Sequence, residues 1–201
     1  VTSSLDVVAV TIDASGMTGV GDLEFVQTAN LVTGSTVIGS SNGDTVGLGT
    51  TLGSTYNLGA GNDAASSVIA TLVADGTDDT VLSMGAGTDT LTISDASADT
   101  TVIDSHFTNV SGAEKLTMST TGAVSITAAG AFTTAFADGV TVTAANLGAA
   151  DAFTFAGGLY NGATTIALTS DWAGTATDAG EDITITTGDA ADTLTLTLSS
   201  F

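Results

Sequence analysis

The segment from Gly85 to Ile93 constrains the fold of this chain more than any other part of the sequence. It reads Gly-Ala-Gly-Thr-Asp-Thr-Leu-Thr-Ile, which has the form G-x-G-x-D-x-U-x, where U is an apolar residue. The glycines let the backbone turn with positive φ angles, and Asp89 supplies the hard carboxylate oxygen that Ca²⁺ prefers. The tail alternates polar and apolar residues, as a strand with one buried face does. The segment therefore predicts a glycine corner followed by a short strand.

Weaker copies of this corner occur elsewhere in the chain. Asp79, Asp89 and Asp99 follow one another at a spacing of ten residues, and Gly59-x-Gly61-x-Asp63 repeats the glycine pair. Since Ca²⁺ takes about six to eight oxygen ligands, one corner is insufficient and two stacked corners have to share an ion. The alternative is a Gly-Asp turn that needs no metal. The predicted calcium-site residues are Asp44, Gly59, Gly61, Asp63, Asp75, Asp79, Gly85, Gly87, Asp89, Asp99, Gly188 and Asp192.

These corners resemble the repeats of the RTX (repeats-in-toxin) calcium-binding β-rolls, and most of all those of RTX-rich bacterial S-layer and surface-matrix proteins. The resemblance is carried by the segment from Gly85 to Ile93, with partial matches at 59–63 and 188–194, and it covers about a third of the chain. It implies Ca²⁺ as the bound ion, type I secretion, and a location outside the cell at the bacterial surface. It also implies a chain that is unfolded in calcium-poor cytoplasm and folds after export.

Short β-branched segments bounded by Gly, Ser, Asn or Asp recur along the whole chain, and this pattern predicts strands. The predicted strands are 5–12, 23–26, 36–38, 45–46, 67–73, 80–82, 90–93, 101–103, 124–127, 140–142, 153–155, 164–168, 183–185 and 193–198. Residues 128–136 form the one candidate for a short helix. The spacings from Asp44 to Asp63 and from Asp63 to Asp79, 19 and 16 residues, lie on either side of the roughly 18 residues of two nonapeptides. We expect an all-β fold, an irregular parallel β-solenoid of the β-roll or β-helix type that binds calcium.

An internal repeat crosses the middle of the sequence. Ile12-Asp13 and Ile103-Asp104 each begin a similar pattern, which ends at Glu24 in the first copy and at Glu114 in the second. A duplication would divide the chain into two similar solenoid modules, residues 1–102 and 103–201.

The charge of the chain restricts its partners. The 22 acidic residues and single Lys or Arg give a formal net charge of −21, yet 43% of the residues are hydrophobic, so a disordered polyanion is not expected. A compact chain of this charge repels itself, and bound Ca²⁺ relieves that repulsion. Nucleic acid is excluded as a partner because phosphate contacts need Lys and Arg. No apolar segment reaches the roughly 20 residues of a membrane-spanning helix, so we expect no membrane insertion.

Catalytic chemistry finds little support in the sequence. Cysteine is absent and His106 is the single histidine, so thiol catalysis, a zinc centre and a histidine-based triad all lack residues. We expect a non-enzymatic, self-assembling structural protein, a homo-oligomer or polymer in the form of a sheet or filament, with cell-surface polysaccharide as a further candidate partner. The alternative is the RTX module of a secreted adhesin or hydrolase. The threonines at 193–197 predict either an ordinary half-buried strand or the threonine array of an ice-binding solenoid.

Overall fold

The chain folds as a parallel β-solenoid in the computed structural model, which describes residues 9–17, 19–25, 31–73, 76, 78–95, 99–147, 151–170 and 182–198. Almost all of its regular structure is β, and every pair of neighbouring strands is parallel. The strands are β1 (Thr11–Asp13), β2 (Glu24–Phe25), β3 (Thr36–Ile38), β4 (Thr45–Gly47), β5 (Thr55–Asn57), β6 (Ala64–Ser67), β7 (Val81–Ser83), β8 (Thr90–Ile93), β9 (Thr100–Val102), β10 (Val110–Ser111), β11 (Lys115–Met118), β12 (Val124–Thr127), β13 (Val140–Leu147), β14 (Phe153–Ala156), β15 (Thr164–Ser170), β16 (Ile183–Thr186) and β17 (Thr193–Leu198).

The strands form three parallel sheets. The five-stranded sheet has the order β1-β3-β5-β7-β10, the four-stranded sheet β16-β14-β12-β9, and the eight-stranded sheet β17-β15-β13-β11-β8-β6-β4-β2. The N-terminal coils alternate between the five-stranded and eight-stranded sheets. The middle coils pass through all three sheets, and the C-terminal coils use the eight-stranded and four-stranded sheets. The eight-stranded sheet is therefore the face shared by all coils.

The core consists of side chains that stack in register along the solenoid axis. In the eight-stranded sheet the inward row of β4, β6, β8, β11, β13 and β15 is in register, and its six members are at most 1% exposed. This row contains Val46, Ala65, Leu91, Leu116, Val142 and Ile166. Strand side chains alternate between faces, so each strand contributes apolar residues inward and polar residues outward. The period-two pattern in the sequence thus becomes a continuous apolar column.

A short helix covers the core where the five-stranded sheet has ended with β10. This helix, α1 (Gly130–Ala135), follows β12 and lies beside the 3-10 helix Asp104–Phe107. The backbone N–H groups of Ala129, Ala131 and Phe132 donate hydrogen bonds of 2.8, 3.1 and 2.9 Å to the Asp104 carboxylate. Asp104, which lies in the preceding coil, therefore accepts hydrogen bonds from the otherwise free N–H groups at the start of α1.

Aromatic side chains fill the space beneath α1. The ring centroids of Phe107, Phe132 and Phe136 lie 4.5 to 5.5 Å apart, and Phe155 and Tyr160 contact Phe132 at 6.1 and 5.2 Å. All five side chains are fully buried. Most pairs meet edge to face, the geometry that the ring quadrupole favours.

The structure confirms the expected fold class, an all-β parallel solenoid, and α1 lies within the candidate helical segment 128–136. The division into modules 1–102 and 103–201 stays a prediction, and the eight-stranded sheet contains strands from both ranges. Residues 5–8 of the strand predicted at 5–12 lie outside the described residues, and the end of that prediction overlaps β1. Within the described ranges, none of the helices has the length and apolar character needed to cross a membrane.

Candidate cation site at the carboxylate ladder

A row of acidic side chains lies immediately before the eight-stranded sheet, one in each successive coil. Asp44, Asp63, Asp89 and Glu114 are the residues that precede β4, β6, β8 and β11, and the register of these strands aligns all four. We call this row the carboxylate ladder. It brings carboxylates of four successive coils into one column, where like charges repel unless protons, hydrogen-bond donors or cations compensate them.

Backbone hydrogen bonds connect the members of the carboxylate ladder. The N–H of Asp44 donates to Oδ1 of Asp63, the N–H of Asp63 donates to Oδ1 of Asp89, and the N–H of Asp89 donates to Oε2 of Glu114, each at 2.7 Å. Each N–H therefore points to the carboxylate of the next coil. At the N-terminal end, the Leu23 N–H donates to Oδ1 of Asp44 at 2.6 Å.

Glycine corners stack beside the carboxylate ladder. Gly59 and Gly85 have φ angles of 97° and 98°, which glycine adopts readily and other residues rarely do. A Cβ on Gly85 would collide with the carbonyl oxygen of Gly59, and a Cβ on Gly87 would collide with that of Gly61. The coils therefore stack backbone on backbone at this corner, with main-chain carbonyls close to the next coil.

Two buried oxygens of the carboxylate ladder have no hydrogen-bond partner. Asp63 and Asp89 are 1% and 0% exposed, and Oδ2 of each is unpaired. Asp44 differs, because Ser40 donates its N–H to Oδ2 at 2.6 Å and its hydroxyl to Oδ1 at 2.9 Å. Ser40, Gly59 and Gly85 each precede their ladder aspartate by four residues. The coils that have glycine in place of serine are thus the ones with an unsatisfied carboxylate oxygen.

Burial dominates the electrostatics of the carboxylate ladder. It raises the pKa of Asp63 to about 6; the Asp44 N–H opposes this, and the carboxylates of Asp89 and Asp44 add to it. Burial likewise raises the pKa of Asp89, and the hydrogen bond from the Asp63 N–H, which acts in the opposite direction, has a smaller effect. The pKa of Glu114 is also raised, again mainly by burial. A buried carboxylate with a raised pKa favours a proton or a cation beside it.

The structure brings four of the predicted aspartates into the same strand register. Asp44, Asp63 and Asp89 belong to the carboxylate ladder, and Asp192 occupies the equivalent position before β17, where Oδ1 accepts the Thr164 N–H at 2.8 Å. Asp192 is exposed in this last described coil. Positions 140 and 164, held by valine and threonine, separate it from the ladder.

Other predicted residues lie elsewhere. Asp79 comes before β7 of the five-stranded sheet, where it accepts the Gly76 N–H and the Asn109 amide. Asp99 is exposed before β9 of the four-stranded sheet and accepts the Ala123 N–H at 3.1 Å. The ten-residue spacing of Asp79, Asp89 and Asp99 therefore follows the chain around one coil instead of along a stack. Gly188 packs against the carbonyl oxygen of Tyr160, and position 75 falls outside the described residues.

The sequence motif did not identify Glu114 as a member of this site. In the corner motif, glycines lie four and two residues before the acid. Before Glu114 only the second of these glycines, Gly112, is present, and it packs against Gly85. The internal repeat singled out Glu114 together with Glu24, but Glu24 is the first residue of β2 and pairs with Thr45, so only Glu114 occupies a ladder position. Together with Asp138, Glu114 also lines an open cleft of about 220 Å³ beside β13 and β15.

The oxygens at the glycine corners have the chemical character that a hard cation requires. Oδ1 of Asp89 would lie 3.2 Å from a Cβ on Gly87, next to the carbonyl oxygen of Gly61, so carboxylate and carbonyl oxygens flank the same space. No group of three or more Asp, Glu, His or Cys side chains in the described part of the chain converges on one point. A cation here would therefore take much of its coordination from main-chain carbonyls and water, as Ca²⁺ commonly does.

Comparisons of the chain with protein-family models, curated proteins and solved structures found no match.

Proposed function

We propose that this chain is a calcium-stabilised structural segment of an extracellular bacterial surface layer, filament or matrix. Its function is to provide a rigid acidic solenoid that assembles with further copies when Ca²⁺ is present. The proposal assigns no catalytic role to the chain.

The observation that carries the proposal is that Oδ2 of Asp63 and Oδ2 of Asp89 are buried and unpaired, in two coils whose glycine corners stack on one another. An ionised carboxylate buried without a partner is costly, and a neighbouring cation removes that cost. Asp63 and Asp89, with the main-chain carbonyls of Gly59 and Gly61, would hold Ca²⁺, which would supply the positive charge that this column lacks. Exported chains meet calcium outside the cell, which agrees with the extracellular location proposed here.

Assembly is supported by the charge and by the edge of the eight-stranded sheet. At −21, copies of the chain repel one another, and divalent cations between acidic surfaces weaken that repulsion. In the described residues β17 is the last strand of its sheet, and Leu194 on it is 53% exposed. An edge strand offers free main-chain groups for pairing with another chain.

Calcium titration followed by calorimetry and circular dichroism tests the ion-binding part. The wild-type chain should bind Ca²⁺ and lose β signal and thermal stability on addition of EGTA. The double variant Asp63→Asn/Asp89→Asn should lose the calorimetric signal, whereas the matched variant Asp79→Asn/Asp99→Asn, which lies outside the carboxylate ladder, should retain it. Identical titrations of the two double variants, or a wild-type spectrum and melting temperature unchanged by EGTA, would contradict calcium binding at this site.

Light scattering tests the assembly part separately. Addition of Ca²⁺ to the folded chain should produce ordered polymers visible by electron microscopy. A chain that binds Ca²⁺ and remains monomeric would instead favour the RTX module of a secreted adhesin or hydrolase.

A further inference from the structure

The outward face of the eight-stranded sheet carries two parallel rows of threonine over its five C-terminal strands β8, β11, β13, β15 and β17. Register pairing aligns the first outward residue of each strand in one row and the second outward residue in the other. The first row is Thr90, Lys115, Thr141, Thr165 and Thr193; the second is Thr92, Thr117, Thr143, Ala167 and Thr195. Lys115 and Ala167 are the exceptions. We call these two rows the threonine face.

The threonine face is a regular lattice. Adjacent strands repeat at about 4.8 Å and alternate residues along a strand at about 6.7 Å, so the hydroxyl and methyl groups recur at these two distances. The irregularity of register between β13 and β15 lies between Ala144 and Leu147, beyond both rows. Threonine is β-branched and restricted at χ1, which keeps the lattice ordered before any ligand arrives.

The charge and the side-chain types of the threonine face indicate which kind of ligand it can bind. On a chain of net charge −21, the two rows contain no carboxylate and one charged group, Lys115. Glu114 and Asp138 lie at the margin of the first row, where they line a cleft together with Thr141 and Thr165. The threonine face also has no aromatic residue, so it lacks the rings on which sugars stack. A charged partner and a crystalline polysaccharide are therefore poor fits. A neutral, periodic, hydrogen-bonding surface fits best.

From this geometry we propose that the threonine face binds ice. Both repeat distances of the face are close to the oxygen repeat distances on the prism surfaces of ordinary ice, so hydroxyl groups can hydrogen-bond waters in lattice positions while methyl groups occupy the spaces between them. The proposal is independent of the carboxylate ladder, apart from requiring a folded chain. It makes the solenoid a surface that adheres to ice or limits its growth.

Ice-affinity partitioning and thermal hysteresis test this proposal on the chain folded in calcium-containing buffer, with circular dichroism as the check of folding. The wild-type chain should enter a growing ice hemisphere and depress the freezing point below the melting point. Thr143→Tyr, in the middle of the second row, should abolish most of both effects. Thr55→Tyr places the same bulk on the exposed face of the five-stranded sheet and should change neither.

A gain-of-function variant separates lattice matching from a general effect of the fold. Lys115→Thr/Ala167→Thr completes both rows and should increase hysteresis at least twofold over wild type. A folded wild-type chain that is excluded from ice, or equal losses in Thr143→Tyr and Thr55→Tyr, would overturn the proposal. Retention of the chain on crystalline cellulose or chitin, with exclusion from ice, would overturn it in favour of a polysaccharide surface.

Discussion

The backbone N–H of Asp63 donates a 2.7 Å hydrogen bond to Oδ1 of Asp89, which lies 26 residues later in the next coil. The second oxygen of each of these two carboxylates is buried and unpaired. In each carboxylate, Oδ1 therefore accepts the hydrogen bond that joins neighbouring coils, and Oδ2 has no hydrogen-bond donor. From this asymmetry we expect the stability of the solenoid to depend on protons and, under the function proposed above, on cations.

The raised pKa of Asp63 predicts that the calcium-free chain loses stability as the pH rises. The folded-state pKa of about 6 lies above the value of about 3.9 in unfolded chains. Protonation therefore favours the folded state, and its contribution, at most about 3 kcal/mol, is complete below pH 4 and lost as the pH passes 6. Urea denaturation in EGTA between pH 4 and 7.5 should show this decline.

Asp63→Asn provides the matched test of this pH dependence, because the amide stays neutral at all pH values. The variant should be more stable than wild type at pH 7 in EGTA and should show a flatter decline. Asp22→Asn removes one negative charge from an exposed position and should leave the slope nearly unchanged. Equal slopes in wild type and Asp63→Asn would show that Asp63 does not control this dependence.

Gly85→Ala is expected to destabilise the solenoid by more than about 2 kcal/mol. Gly85 has a φ angle of 98°, and an added Cβ would collide with the carbonyl oxygen of Gly59 in the preceding coil. Gly130→Ala is the control, since a Cβ there has open space at the start of α1 and alanine favours helices. Thermal denaturation of the two variants should separate them clearly, and comparable melting temperatures would contradict the stacked-corner geometry.

Removal of the carboxylate in Asp104→Ala is expected to cost about 1 to 2 kcal/mol at neutral pH, because three backbone N–H groups near the start of α1 lose their acceptor. Burial alone would raise the pKa of Asp104, but these three donors lower it overall. A lowered pKa gives stability that is present above the unfolded value of about 3.9 and is lost as the pH falls. The difference from wild type in urea denaturation should therefore shrink in acid, and a constant difference would argue against an ionised cap.

Both tyrosines of the chain should resist ionisation at pH 10 while it remains folded. Burial raises the pKa of Tyr160 to about 12, and the Tyr160 hydroxyl donates a 2.6 Å hydrogen bond to the Phe136 carbonyl oxygen. Burial raises the pKa of Tyr56 as well. Ultraviolet titration should therefore show no phenolate absorbance at pH 10 as long as the circular dichroism signal of the folded chain is retained. Phenolate formation near pH 10 in the folded chain would place a tyrosine at the surface.

Local pattern was sufficient to predict the corners and most strands, because glycine, aspartate and alternating β-branched residues act within a few residues of one another. The pattern also predicted correctly that Asp44 and Asp63, which are 19 residues apart, occupy neighbouring coils, since a hydrogen bond joins them. The pattern suggested Asp79 as the next acid after Asp63, whereas Asp89 pairs with Asp63. The coil from Asp63 to Asp89 is longer because the 3-10 helix Ile69–Thr71 lies between β6 and β7, in the segment where the sequence predicted a strand at 67–73.

The sequence by itself determined that this chain forms a parallel solenoid of short strands, because its glycine corners and period-two pattern admit few other ways to bury 43% hydrophobic residues. Only the tertiary structure decided which acids share a column, which carboxylate oxygens are left unpaired, and which threonines form a lattice. Those relations depend on the register between coils about 19 to 28 residues apart, and register is set by the summed packing of the core.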